Sequence, residues 1–83
     1  MRRDLNDALI RALRPPVRGR LEVQDTRVPG LMLRVTSSGC MTWAVRASIP
    51  GGRRVRATIG RYPAIGLAEA RRRALETLAR IAT

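Results

Sequence analysis

The sequence predicts an α+β domain: a three-stranded antiparallel sheet packed on a C-terminal helix, with a short N-terminal helix before it. Apolar and polar residues alternate with a period of two along three successive stretches, which is typical of strands. Pro50-Gly51-Gly52 separates the last two stretches, as in a hairpin. Near the C-terminus the apolar period lengthens to that of a helix. At 83 residues the chain has room for one domain, predicted to span residues 1–83.

The first predicted strand places Leu31, Leu33 and Val35 on one face of the sheet. The apolar positions of the next two strands extend this core face: Trp43, Val45, Ala47, Ile49, Val55, Ala57 and Ile59. Trp43 is therefore predicted to be a core residue and not a stacking platform for bases. Residues 21–25 also alternate, which leaves open a short extra strand.

The N-terminal helix is predicted to begin after the N-cap Asn6 and to end before Pro15. The C-terminal helix covers residues 67–82, and its apolar residues share one face: Leu67, Ala70, Ala74, Leu78 and Ile81. Two pairs are spaced for ion pairs on its polar side: Glu69–Arg73 and Glu76–Arg80. The run 71–73, three arginines, fits either a solvated face or a secondary phosphate contact.

The composition argues against catalysis. The chain has no histidine, so no histidine acid–base pair or triad can form. Cys40 has no base beside it, and Tyr62 is predicted to pack over the sheet edge. A single cysteine without histidine excludes a Cys/His zinc site, and the Pro-Gly-Gly turn lacks the strand-to-helix setting of a phosphate loop. We therefore predict a domain that is not an enzyme and uses no cofactor or metal.

The charge indicates the partner. The net charge is +11, and all 17 basic residues are arginine. Such a surface attracts an anionic polymer. A lone cysteine excludes an internal disulfide and favours a reducing compartment, and no apolar run is long enough to cross a membrane. The expected location is cytoplasmic, with no membrane partner.

The polar face of the predicted sheet is the candidate binding site. Its predicted DNA-binding residues are Arg34, Thr36, Thr42, Arg46, Ser48, Arg54, Arg56 and Thr58. The predicted face contains no acidic residue. Arginines on its adjacent strands would repel one another unless an anion lay between them. Arginine, serine and threonine bind phosphates and base edges, and a two-stranded ribbon fits the major groove of DNA. The alternative interpretation is a merely solvated outer face.

The order of motifs resembles a known family. These motifs are Asp25 with Pro29-Gly30-Leu31, then Leu33-Arg34-Val35, Gly39 before Trp43, and Gly60-Arg61-Tyr62-Pro63 before Leu67-Ala68-Glu69-Ala70-Arg71. From about Asn6 to Ala79 the chain resembles the N-terminal arm-type DNA-binding domain of phage and prophage integrases of the tyrosine recombinase family.

The resemblance implies a sheet inserted into the major groove of arm sequences in attachment-site DNA, supporting DNA integration and recombination. It also implies a longer parent integrase in the bacterial cytoplasm, associated with the nucleoid, whose catalytic residues lie in another domain; Tyr62 does not match the nucleophilic tyrosine. Double-stranded RNA is a poorer partner, because its narrow major groove would not admit the sheet. The alternative from another class is a protein–protein module that contacts neighbouring integrase subunits.

Overall fold

A computed structural model describes residues 2–82 of the protein. The predicted domain of residues 1–83 includes Met1 and Thr83, which lie outside the described residues. The elements in chain order are β1 (Arg2–Arg3), α1 (Asp7–Ala12), β2 (Arg20–Asp25), β3 (Leu31–Thr36), β4 (Met41–Ser48), β5 (Arg54–Tyr62) and α2 (Leu67–Ala82).

The five strands form one sheet in the order β1-β2-β3-β4-β5. Neighbouring strands from β2 to β5 are antiparallel, whereas β1 pairs with β2 in parallel, with Arg2 opposite Gln24 and Arg3 opposite Asp25. The prediction of a three-stranded antiparallel sheet is therefore wrong: the sheet is five-stranded and mixed. The broader α+β class is retained.

The two additional strands have different physical origins. β2 is the short stretch whose alternation left an extra strand open, and it pairs with β3 over five residue pairs. β1 has only two residues, too few to show a period, and tertiary contacts hold it in place. The Arg3 carbonyl accepts a hydrogen bond from the Thr26 amide at 3.0 Å, and the Asp25 carboxylate accepts one from the Leu5 amide at 3.4 Å.

The core lies between one face of the sheet and the two helices. α2 packs across β4 and β5. One cluster of buried side chains joins Leu5, Ile10, Val23, Val28, Leu31, Leu33, Val35, Trp43, Val45, Ala70 and Ala74. The two fully buried alanines of α2 bring that helix close to the sheet, because a methyl side chain keeps the backbones near each other. The predicted apolar face of α2 is thus confirmed at its centre.

Trp43 is fully buried, as predicted. Its indole N–H donates a hydrogen bond to the Ile65 carbonyl at 2.8 Å, so burial leaves no polar atom of the ring unpaired. The half-buried Tyr62 meets Trp43 edge-on, with 6.2 Å between ring centroids and 78° between planes. Both aromatic residues therefore serve packing: Tyr62 was predicted to pack over the sheet edge, and from the edge strand β5 it packs against the core cluster.

α1 is short, and its beginning matches the prediction. The Asn6 side chain accepts a hydrogen bond from the Leu9 amide at 2.8 Å and caps the helix. The helix ends at Ala12, because Leu13 is already extended before Pro15 is reached. Ile10 is the residue through which α1 joins the core.

A β-bulge changes the alternation of β5. The register slips between Trp43 and Ala44 of β4, because Ile59 is an extra residue in β5. Gly60 then pairs with Trp43 on the core side, and Arg61 lies on the opposite side of the sheet. Without the bulge, the alternation of β5 would have placed the charge of Arg61 against the core.

Candidate nucleic-acid interface

The sheet face opposite the helices carries the candidate site, and we call it the open face. Its side chains alternate with the core residues along β2 to β5. They are Arg20, Glu22, Gln24, Met32, Arg34, Thr36, Thr42, Ala44, Arg46, Ser48, Arg54, Arg56, Thr58 and Arg61.

The structure places all eight predicted site residues on the open face. Three cross-strand pairs show how closely they are arranged: Arg34–Thr42, Arg46–Arg56 and Ser48–Arg54. Thr58 lies opposite Ala44, and Thr36 lies opposite Arg20 of β2. The sequence pattern thus located these side chains correctly in space, while their contact with DNA stays a prediction.

The hairpin formed by β4 and β5 carries the strongest positive charge of this face. Between Met41 and Tyr62 there is no acidic residue, and the five arginines of this segment, the hairpin arginines, are Arg46, Arg53, Arg54, Arg56 and Arg61. Ion pairs within residues 2–82 engage only arginines outside this hairpin. Arg46 lies directly opposite Arg56, an arrangement that destabilises a sheet unless an anion is present.

The β2 side of the open face carries negative charge as well as positive charge, so the prediction of a face without acidic residues was wrong. The face is not free of acidic residues, because β2 brings Glu22 directly opposite Arg34. The Glu22 carboxylate lies 3.3 Å from Arg34 Nε and 3.7 Å from Arg20 Nε. The Arg34 side chain is only 19% exposed, so most of it is packed against the sheet.

The centre of the open face is apolar and closed. Met32 and Ala44 are each only 1% exposed, although they point away from the helices. Arg34 and Arg46, which flank them, are themselves half-buried. Long arginine stems cover apolar neighbours. The open face is therefore a ring of polar groups around a small apolar centre.

Sequence reasoning missed three charged members of this face: Arg20, Glu22 and Arg61. The first two were detectable, because residues 20–24 alternate with the same period of two as the predicted strands. The signal for Arg61 was weaker. Ile59 and Tyr62 are three residues apart, an odd spacing that a strand accommodates only through a bulge, and Gly60 stands between them.

The arginines of α2 have structural partners. Arg71 makes a two-pronged contact with the buried Asp25, from Nε to Oδ2 at 2.9 Å and from Nη2 to Oδ1 at 3.0 Å. It also donates to the Leu5 carbonyl at 2.9 Å and so fastens the N-terminal segment. The Arg71 side chain is thus bound within the fold and is only 19% exposed.

Asp25 is held in its ionised form by these contacts. Burial raises the pKa of the Asp25 carboxyl, but the hydrogen bond from Arg71 and those from the Arg27 and Leu5 amides outweigh burial, and the pKa lies below its usual value. The hydrogen bond to Asp25 in turn raises the pKa of Arg71. The pair joins the end of β2 to the helix layer.

The remaining arginine pairs of α2 lie on its solvent side. Glu69 accepts hydrogen bonds from Arg72 and Arg73, which lower the pKa of Glu69 to about 2. The predicted Glu69–Arg73 pair is confirmed at 2.6 Å. The predicted Glu76–Arg80 pair is wrong, because Glu76 accepts from Arg72. Arg80 donates to the Thr77 hydroxyl at 3.3 Å.

Within residues 2–82, no group of three or more Cys, Asp or Glu side chains is arranged to hold a metal ion. In the same range neither helix has the length and apolar character needed to cross a membrane.

A small α+β fold with a cationic, polar sheet face is typical of nucleic-acid-binding domains. The comparison with protein families gives the particular member: the family model of the arm DNA-binding domain matches residues 5–83. The chain therefore belongs to the arm-type DNA-binding domains of phage integrases. Among the curated proteins that were compared, none matches the chain.

Proposed function

We propose that this domain binds the arm sequences of attachment-site DNA by placing its open face in the major groove, and thereby supports integration and recombination. The observation that carries the proposal is the acid-free hairpin, in which Arg46 faces Arg56 without a protein counter-charge among the described residues. A phosphate backbone supplies the missing anion. The hairpin is also a two-stranded ribbon, which has the width the major groove admits.

The proposed contact residues are the eight that the sequence predicted on this face, together with Arg61. Arg54 and Ser48 pair near the turn, and Arg46 and Arg56 pair one step further into the strands. Guanine offers two acceptors to an arginine in the major groove, whereas phosphates bind arginine in any sequence. We propose that at least one of Arg46, Arg54 and Arg56 binds a guanine and that the others bind phosphates.

The parent protein is proposed to be a prophage integrase of the tyrosine recombinase family that acts in the bacterial cytoplasm, in contact with the nucleoid. Residues 1–83 would form one DNA-binding unit of that longer chain. The single core cluster, to which both helices and the sheet contribute, supports this interpretation. The arm-type domain itself is non-catalytic, so cleavage would belong to another part of the integrase.

A protein–protein role is the second candidate, and one observation favours it. Leu75 of α2 is a large apolar residue that is 58% exposed. An exposed leucine on a helix can contact a neighbouring integrase subunit. Salt separates the two roles, because DNA binding through several phosphates weakens steeply as salt rises, whereas an apolar contact does not.

The test begins by selecting tight-binding duplexes from a randomised pool. Chemical shifts of the domain are then mapped with the selected duplex and with a scrambled duplex. We expect the perturbed amides to cluster along β4 and β5. Arg46→Ala and Arg54→Ala should weaken binding about tenfold or more, against less than about twofold for the control Arg80→Ala on α2. Perturbations confined to α2, with a silent sheet, would contradict the proposal.

A further inference from the structure

One acidic residue lies among the arginines of the open face, and its charge opposes the binding of phosphates. Within residues 2–82, Glu22 is the single acidic side chain of that face. The other acids are at the N-terminal segment, in the core or on α2: Asp4, Asp7, Asp25, Glu69 and Glu76. A carboxylate facing a phosphate backbone lowers affinity for every DNA sequence alike.

Glu22 also fixes the arginines beside it. Its carboxylate lies 3.3 Å from Nε of Arg34, the residue directly opposite in the ladder. It lies 3.7 Å from Nε of Arg20, two residues away on the same strand and therefore on the same face. The Arg34 side chain is 19% exposed, and its Nη2 atom is buried without a hydrogen-bond partner. Arg34 is thus held by its Nε and its stem before any DNA arrives.

The two ends of the open face therefore present arginine in different ways. The hairpin arginines have no ion pair within the described residues and can follow a phosphate wherever it lies. Arg34 is restrained by Glu22, and a restrained guanidinium loses less freedom when it meets a base edge at one fixed position.

We propose that Glu22 is a positioning residue that sets sequence specificity. It holds Arg34 and Arg20 in fixed orientations for base edges, and its negative charge weakens binding to phosphates of unrelated sequence. The carboxylate repels phosphates of every sequence, but only the right DNA regains this loss, through base-edge contacts with the fixed arginines, so the difference between the two affinities grows. This inference rests on the proposed function, because it assumes that the open face meets double-stranded DNA.

The experiment compares Glu22→Gln with the matched control Glu76→Gln. Both variants raise the net charge by one, but Glu76 lies on α2, where it pairs with Arg72. Affinity is measured for the selected and the scrambled duplex over a range of salt concentrations. We expect Glu22→Gln to tighten binding to the scrambled duplex about two- to fivefold and to leave binding to the selected duplex unchanged or weaker. The ratio of the two affinities should then fall by at least that factor.

A second variant separates repulsion from positioning. Glu22→Asp keeps the charge but shortens the reach to Arg34, so it should retain weak binding to the scrambled duplex and lose affinity for the selected one. Circular dichroism identifies any variant that does not fold, and Glu22→Asp then provides the test in place of Glu22→Gln.

The outcomes distinguish this inference from the proposed function. If Glu22→Gln changes both affinities in the same proportion as Glu76→Gln, and Glu22→Asp behaves as wild type, Glu22 has no positioning role although the domain still binds DNA. If no duplex binds, or if binding is insensitive to salt and to Arg46→Ala, the result contradicts both the proposed function and this inference.

Discussion

Two regions of the molecule are rich in arginine, and they use it differently. α2 contains four arginines and two glutamates, and three of its arginines form ion pairs within the protein. The hairpin of β4 and β5 contains five arginines and no acid. The run Arg71–Arg73 is the densest cluster of positive charge in the sequence, yet the structure assigns those side chains to the fold and its solvated surface.

The difference shows that pairing, more than number, marks a surface for an external anion. An arginine bound to a carboxylate has its donors occupied and contributes little net field. Two arginines that face each other across a ladder destabilise the sheet, and a bound phosphate offsets their repulsion. Four experiments can break or sharpen this comparison.

The largest effect is expected for Arg71→Ala, because it leaves the buried Asp25 carboxylate without its partner. Breaking a buried ion pair from one side costs about 3–5 kcal/mol of unfolding free energy. Urea denaturation followed by circular dichroism measures the loss. The double variant Arg71→Ala with Asp25→Asn should be less destabilised than the sum of the single variants, because the unpaired charge is gone. If Arg71→Ala is as stable as wild type, Arg71 belongs with the free arginines.

Arg56→Ala should change stability and DNA binding in opposite directions. Removing the repulsion with Arg46 should raise the unfolding free energy by about 0.2–1 kcal/mol. If Arg56 binds a guanine, affinity for the selected duplex falls by about 1–3 kcal/mol. If it binds a phosphate, affinity falls for all duplexes and the salt slope becomes shallower by about one. An unchanged affinity with every duplex would remove the hairpin from the interface.

Low pH should lower the stability of the fold, because the Asp25 carboxylate becomes protonated. Since its pKa is lower in the folded state than the usual 3.8, the unfolded chain binds more protons below about pH 4, and stability falls as the pH falls from there. Glu69, with its pKa near 2, acts in the same direction below its usual 4.5. Thermal unfolding between pH 7 and pH 2 measures the loss. Asp25→Asn should give a flatter profile below pH 4; an equally steep profile would mean that other carboxyls dominate.

The smallest effect is expected for Arg72→Ala. Its ion pairs with Glu69 and Glu76 lie in solvent, so its melting temperature should stay within about 2 °C of wild type. Its affinity for DNA should also stay close to that of wild type. A strong loss of affinity in low salt would instead give α2 a phosphate contact and weaken the contrast with the hairpin.

The sequence predicts those elements in which the spacing of apolar residues repeats several times. β3, β4, α2 and the part of β5 up to Ile59 each show several cycles of alternation or of helical spacing, and their faces were predicted correctly. β1 has two residues and no period, so only its pairing with β2 and the hydrogen bond from the Thr26 amide to the Arg3 carbonyl define it.

The candidate site was predicted in part for a related reason. Alternation gives the face of a residue but not its partner on the next strand. The pairing of Glu22 with Arg34 depends on how β2 and β3 align, and the pairing of Arg71 with Asp25 joins residues 46 apart in sequence. Arg71 stands three residues before Ala74, at the border of the buried stripe, but helical spacing alone does not indicate an acidic partner.

The bulge at Ile59 has a consequence for insertions and deletions. Because β5 reverses its alternation there, its core-side residues are odd-numbered before the bulge and even-numbered after it. Inserting one residue between Gly60 and Arg61 would exchange the sides of Arg61 and Tyr62, burying a charge and exposing a ring. Length changes should instead be tolerated at Gly51-Gly52, where both residues have positive φ and an added side chain would meet no neighbour within 4 Å. Alignments of related chains should therefore place their gaps at this turn and keep the distance from Ile59 to Tyr62 fixed.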